Sequence, residues 1–244
     1  MATAARGSSE EGFQKWKDGI DRASGDWNAY DGIIRFIVMD YNQHLADTPR
    51  FNGLDWRIVK AMLWTETGPH AVESWRRRPL RIGVSGDPGL RALLGGREGG
   101  DLVMPPSLRI SFNSAQQIAR DNLAAGVGYL LMRMADFGFA TVPDEDAAIS
   151  EFTVRRGDSL SKIATACGST ITTLQKLNPG TTTLQQGQVL KCQKASVQKV
   201  ITGWKTFDYR TIARRYNGNG DPKGDPLYAR KLEYAMNAIR SRGQ

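Results

Sequence analysis

The sequence predicts an α+β fold, mainly helical, in which one helical domain is interrupted by a small βααβ block. Three observations predict it. Long segments up to residue 140 repeat their apolar side chains every three or four positions. At Glu151 the pattern changes to short strands and short helices punctuated by turn residues. After residue 203 helical character returns in a segment too short for a core of its own. The expected division is therefore 12–140 with 203–241 as one domain and 151–195 as an insertion.

Residues 1 to about 11 read as a loose tail. From Phe13 to Leu45 the apolar positions Trp27, Tyr30, Ile34, Ile37, Val38, Tyr41 and Leu45 are helical, with Asp26 able to cap the start. Asp47 to Gly53 is a turn-rich break. Asp55 can then cap a helix in which Ile58, Met62 and Glu66 share one face beside Val59 and Leu63, with Gly68-Pro69 ending it. Residues 71 to 110 lack helical periodicity and carry many glycines and prolines, as an irregular hairpin-and-loop region would.

Ser114 is placed to cap a helix running to about Phe137, with Leu123, Val127, Leu130, Met134 and Phe137 as its stripe. Ala124, Ala125, Gly126 and Gly128 give it a thin side. Thr141 to Ser150 and Ala195 to Gly203 read as linkers. Phe207 to Arg215 and Leu227 to Ile239 are helices around the glycine-rich loop Tyr216 to Pro222.

Composition removes several function classes. The run Ile33 to Met39 is far too short to span a bilayer, and residues 1–11 lack the apolar stretch of a secretory leader, so export would need another route. The net charge of +8, from 33 Lys and Arg against 25 Asp and Glu, favours anionic partners. No recognition helix, zinc spacing or aromatic-basic strand motif points to nucleic acid. Two cysteines without Cys-x-x-Cys, and only His44 and His70 besides, leave no metal centre and no cofactor to expect. Cys167 and Cys192 read equally as a disulfide or as two thiols.

In the βααβ block, strand Phe152 to Arg156, helix Ser159 to Ala166, helix Ile171 to Leu177 and strand Gln188 to Cys192 follow one another. Val154-x-x-Gly157-Asp158-Ser159-Leu160-x-x-Ile163-Ala164, Leu174-x-x-Leu177-Asn178-Pro179 and Gly187-Gln188-x-Leu190 resemble a LysM module along its whole length. The resemblance implies binding of N-acetylglucosamine-containing glycans by Gly157, Asp158, Ser159 and Leu160 together with Asn178, Pro179 and Gly180. Cys167 and Cys192 stand where that family more often has core residues, which makes them a candidate staple between the first helix and the last strand.

A carboxyl group at the core-facing end of a helix loses hydration, which raises its pKa and suits it to general acid work; a solvated helix-end carboxylate is the plainer alternative for Glu66. Outside the insertion, three ordered segments resemble the lysozyme-like fold of soluble lytic transglycosylases and goose-type lysozymes. Ile58 to Thr67 is similar to the helix ending in that family's Glu-Ser pair. Asn122 to Leu130 is similar to its Asn-(Ile/Leu)-x-x-Gly-x-x-Tyr-Leu helix, and Ala213 to Gly218 with Tyr228 to Leu232 to its closing motifs. Pro79 to Gly83 takes the place of Gly-Leu-Met-Gln-Ile, so that family's substrate-binding glutamine is either lost or supplied as Arg81.

The resemblance implies that Glu66 is the acid that cleaves the β-1,4 bond between N-acetylmuramic acid and N-acetylglucosamine, with Thr67, Arg81, Ile82, Tyr129, Tyr216 and Asn217 against substrate. If the muramyl C6 hydroxyl is the acceptor, one carboxyl group suffices and a 1,6-anhydro end results. If water is the acceptor, a second carboxylate is needed, and Asp87 and Glu73 are the candidates. The expected partners are peptidoglycan strands in the periplasm or cell wall. Delivery by a specialised secretion apparatus or in phage lysis, with a cognate inhibitor or immunity protein, follows from the missing leader. A non-catalytic wall-binding protein is the competing reading.

Overall fold

The computed structural model describes residues 10–22, 25–68, 72–144, 146–181, 183–218 and 224–243. The fold is α+β and mainly helical. The chain divides into two compact units, Met1–Asp136 with Ile201–Gln244, and Phe137–Val200. No helix among the described residues is long and apolar enough to cross a membrane.

The larger unit opens with α1 (Glu10–Asp21), which buries Phe13 and Ile20, and α2 (Asp31–Leu45), which buries Ile34, Ile37, Val38, Tyr41 and Leu45. The single helical run expected from Phe13 to Leu45 is thus two helices with a short 3₁₀ turn between them at Gly25–Asn28. The expected cap at Asp26 lies outside the described side chains.

Helix α3 (Trp56–Thr67) has the expected ends. Asp55 accepts from the Arg57 backbone at 2.9 Å, and Gly68, at φ 64°, stops the helix. Its burial is wider than one stripe: Ile58 through Trp64 are all buried, because it packs against both α2 and α12 (Tyr228–Ser241). That wrapping encloses Lys60, whose Nζ lies 2.7 Å from Asp31 Oδ2 and 2.7 Å from Asn28 Oδ1. A buried cation without such partners would be strongly destabilising.

Between residues 72 and 103 the structure has three short helices rather than a hairpin: α4 (Val72–Arg77), α5 (Gly89–Leu94) and α6 (Gly100–Val103). Each is under two turns long, too short for a 3.6-residue period to show. The next helix is also divided. Ser111, not Ser114, caps α7 (Phe112–Gln117), and each of the two serines accepts from the other's backbone at 3.0 Å. Ile118 is extended, and α8 (Ala119–Met134) follows. The break is stabilised by Asn122, whose Nδ2 donates at 2.8 Å to the Ala115 carbonyl that a continuing helix would have used.

Helix α8 ends at Met134, three residues earlier than expected. Ala135 begins β1 (Ala135–Pro143), which pairs with β4 (Ala195–Trp204). Thr202 bonds Asp136 near one end and Asp144 bonds Lys194 at the other, so the strands run in opposite directions. Of the two stretches expected to be linkers, Ala195 to Gly203 forms β4, while only the start of Thr141 to Ser150 belongs to β1, whose earlier residues were expected to end the preceding helix. Phe137, Phe139, Thr141 and Val142 against Val197, Val200, Ile201 and Thr202 supply the β-branched and aromatic residues that favour strands. After β4, Asp208 caps α11 (Tyr209–Ile212), and a wide π-type turn, Ala213–Asn217, reaches Gly218 at φ 70°. Residues 219–223 of the expected glycine-rich loop lie outside the described residues.

In the smaller unit β2 (Ser150–Thr153), α9 (Leu160–Ala166), α10 (Ile171–Leu177) and β3 (Val189–Cys192) follow in the expected order. Strands β2 and β3 are antiparallel, with Ser150 opposite Cys192 and Thr153 opposite Val189. Val154, Ile163, Ala164, Leu174, Leu190 and Cys192 form the core, edged by Phe152, Leu160, Cys167 and Leu184. Ser159 and Thr170 cap the two helices. The cysteines are two free thiols in contact rather than the candidate disulfide.

Candidate functional site

Glu66 sits in the last turn of α3, half-buried, at the end that faces α12. Desolvation pushes its carboxyl pKa up to about 7, so near neutral pH about half of it carries a proton. Tyr228 and Arg81 act against the rise, and the negative charges of Asp225 and Asp87 add to it. A solvated helix-end carboxylate would show no such rise.

Tyr228, the first residue of α12, is 2% exposed. Its hydroxyl has no partner at full hydrogen-bond geometry among the described residues, although it is close enough to Glu66 for each to shift the other. Desolvation and the Glu66 charge hold both Tyr228 and Tyr216 protonated far beyond the usual range. The rings of Tyr129 and Tyr216 lie 5.5 Å apart, edge to face, and Tyr216 and Tyr228 lie 6.4 Å apart. Three tyrosines, one from α8, one from the π-type turn and one from α12, thus form a continuous aromatic group in which Tyr228 acts on the acid and Tyr216 is held protonated partly by its charge. Sequence reasoning placed Tyr228 in a motif but not in the site; its position within Tyr-x-x-Lys was the available signal.

Several residues expected to contact substrate also hold the frame. Thr67 is buried and donates its hydroxyl to the Pro79 carbonyl. Ile82 is 3% exposed, so its side chain belongs to the core and not to a cleft; its carbonyl accepts from Asn122 at 3.0 Å. Asn217 accepts the Asp225 backbone N–H at 2.7 Å, and Asp225 in turn accepts from Lys231 Nζ at 2.6 Å. These bonds fix the turn that carries Tyr216. Arg81 is half-buried beside the acid, with an unusual φ of 55°.

The two candidate second carboxylates differ. Asp87 accepts the Gly83 N–H at 2.7 Å on one oxygen and the Gly89 N–H at 2.8 Å on the other, so it brackets a turn. Glu73 falls in α4, and its side chain lies outside the described residues.

In the smaller unit, Gly157 at φ 84° and Gly180 at φ 86° make the two turns named in the sequence, one between β2 and α9 and one between α10 and β3. Asp158 accepts the Arg155 N–H at 2.7 Å, and Lys162 closes the first turn on the Gly157 carbonyl at 2.9 Å. Gly157, Ser159, Pro179 and Gly180 are exposed, and Leu160 is half-buried. Asn178 is already engaged: its Nδ2 donates to the Leu174 and Lys191 carbonyls at 2.8 Å each, and its Oδ1 accepts from Lys191 N at 2.8 Å. Its amide braces the loop, and Pro179 and Gly180 are the exposed residues beside it.

No curated protein and no solved structure matches the chain. Residues 152–192 match the family model of the LysM domain, which points to peptidoglycan binding and to association with the cell wall.

Proposed function

We propose that the protein is a peptidoglycan-degrading glycosidase that cleaves the bond between N-acetylmuramic acid and N-acetylglucosamine as a lytic transglycosylase, held on its substrate by the LysM module. The observation that carries this reading is the half-ionised Glu66 at the end of α3, beside Tyr216 and Tyr228. Its resemblance to the Glu of the lysozyme-like family, together with the ordered Asn122 to Leu130 and Tyr216-Asn217-Gly218 segments, supports the same assignment.

The chemistry follows from that single group. Protonated Glu66 gives its proton to the glycosidic oxygen as the bond to the muramyl C1 breaks. The resulting carboxylate is stabilised by Tyr228, the largest influence that favours its ionised form. It can then take the proton of the sugar's own C6 hydroxyl as that oxygen closes on C1. No second carboxylate is required. With both Asp87 oxygens engaged by backbone N–H groups, a water-activating role for that residue has less support than the transglycosylase route.

Purified peptidoglycan digested by the wild-type chain and by Glu66→Gln, with mass analysis of the released fragments, tests the reading. Anhydro ends, lost in Glu66→Gln while binding to sacculi persists, are expected. Fragments heavier by one water would establish a hydrolase instead. Binding without release by the wild type would leave a wall-binding protein.

A further inference from the structure

The segment from Pro79 to Gly83 is tied down at almost every backbone group. Pro79 O accepts from Thr67, and Leu80 N donates to Asn122 Oδ1 at 3.0 Å. Leu80 O accepts from the Tyr216 hydroxyl at 3.3 Å, and Ile82 O from Asn122 Nδ2 at 3.0 Å. Gly83 N donates to Asp87 at 2.7 Å, and Gly83 O accepts from Gln116 at 2.8 Å. In the middle of this strap Arg81 is held at φ 55°, a left-handed conformation that costs a non-glycine residue on the order of 1 kcal/mol. Its own N–H is satisfied by the Arg78 carbonyl at 2.9 Å.

The Arg81 guanidinium, by contrast, is half-buried and has no ion pair or hydrogen bond among the described residues. Arginine is usually retained at such a place for planar, two-pronged recognition of a carboxylate or phosphate. Its charge also reaches Glu66, where it favours the ionised form and so works against an acid. A cation that opposes the acid until it is neutralised fits a group whose partner arrives with the substrate.

We propose that Arg81 binds the lactyl carboxylate of the muramyl residue, so that the preferred substrate is a glycan strand from which the stem peptides have been removed. This rests on the proposed function and names the substrate class of the same site. In a strand that carries stem peptides the lactyl group is an amide and offers no charge. In a stripped strand it is a carboxylate attached to the sugar whose C1 reacts. Seating it on Arg81 cancels the cation beside Glu66 and returns the acid to its protonated form, which couples recognition to proton donation. The carboxylates of a stem peptide are the other source of the same chemistry, and they are separated from the reacting carbon by one or more residues.

The test uses the full chain with three substrates of matched length: amidase-stripped strands, intact strands, and stripped strands whose lactyl carboxylates are converted to methylamides. For the wild type, kcat/KM should be about tenfold or more higher on stripped strands than on the other two, the difference a charge-assisted hydrogen bond supplies. Arg81→Gln should collapse these ratios to near one, and Arg81→Lys, which keeps the charge and serves as the folding control, should retain part of the preference. Equal cleavage of carboxylate and methylamide strands, or a preference for intact strands lost in Arg81→Gln, would overturn the proposal; the second result would assign Arg81 to stem-peptide carboxylates. Absence of all cleavage would instead sink the glycosidase reading. The carboxylate contact is then decided by calorimetry, where a Kd for stripped fragments that Arg81→Gln leaves unchanged counts against it and a tenfold weakening upholds it.

Discussion

The Tyr216 hydroxyl donates to the Leu80 carbonyl at 3.3 Å, joining residues 136 positions apart in the chain. The late π-type turn is thereby fastened to the strap that carries Arg81, while the Tyr216 ring stands between Tyr129 and Tyr228. Tyr216→Phe keeps the rings and removes only the tie. Its expected cost is about 1 kcal/mol of stability, with a larger fall in kcat/KM than in binding to sacculi. Thermal unfolding and turnover on soluble strands check this; an unchanged kcat/KM would separate the strap from catalysis.

Glu66 makes stability depend on pH in a predictable direction. Its folded pKa of about 7 lies above the ordinary 4.5, so between these values the unfolded chain releases a proton that the folded chain retains. Stability should therefore be full below about pH 4.5, fall as pH rises to 7, and level off beyond, by up to about 3 kcal/mol. Glu66→Gln removes the slope. At pH 8 the variant should melt several degrees above the wild type, and by pH 4 the two should coincide. The alkaline limb of activity should fall through the same pKa near 7.

Asp87→Asn distinguishes a turn bracket from a second catalytic carboxylate. One backbone N–H loses its acceptor and the other keeps only a neutral one, at a cost of about 1–2 kcal/mol. Because the Asp87 charge helps raise the Glu66 pKa, removing it should shift the alkaline limb of activity to lower pH. The product should still carry anhydro ends. Loss of all turnover at every pH, with the fold intact, would restore Asp87 as a candidate for activating water.

The Asp144 N–H bonds the Lys194 carbonyl at 3.0 Å, so the ribbon can be closed where the module leaves it. Replacing residues 145–193 with Asn-Gly, a turn suited to joining antiparallel strands, should give a folded chain that no longer sediments with sacculi. Turnover of soluble strands should remain. Circular dichroism showing a wholly unfolded chain would contradict the division into two units.

The thiols of Cys167 and Cys192 should differ in reactivity. Burial and contact with Cys167 push the Cys192 thiol up to about 12, whereas Cys167 borders a cavity of about 500 Å³ lined also by Asp144, Ser150 and Lys194. Iodoacetamide at pH 8 should label Cys167 and spare Cys192 until the module unfolds, as peptide mapping would show.

What could be read from the sequence was whatever rests on local signals. The Asp55 cap, the Gly68 stop and the βααβ order are each set by residues within one element, and they match the structure. What escaped depends on partners far away. Strand β1 escaped because its pairing with β4 is supplied some sixty residues later. The break at Ile118 depends on a side-chain bond from Asn122, and the short helices between 72 and 103 on packing rather than periodicity. In the site, Glu66 and Tyr216 were legible as residues near one another. Thr67, Asn217 and Asn178 were expected to contact sugar, and only their hydrogen-bond partners reveal them as braces.

The bare face of α8 sets how this site would tolerate change. A methyl group added at Gly126 would come within 2.4 Å of the Leu80 side chain, and one at Gly128 within 2.4 Å of the Tyr41 hydroxyl. Leu80 is next to Arg81 in the strap, so a single extra carbon on α8 would press on the segment that carries the guanidinium. Change in such a protein is constrained by its reactive groups and equally by the close packing behind them.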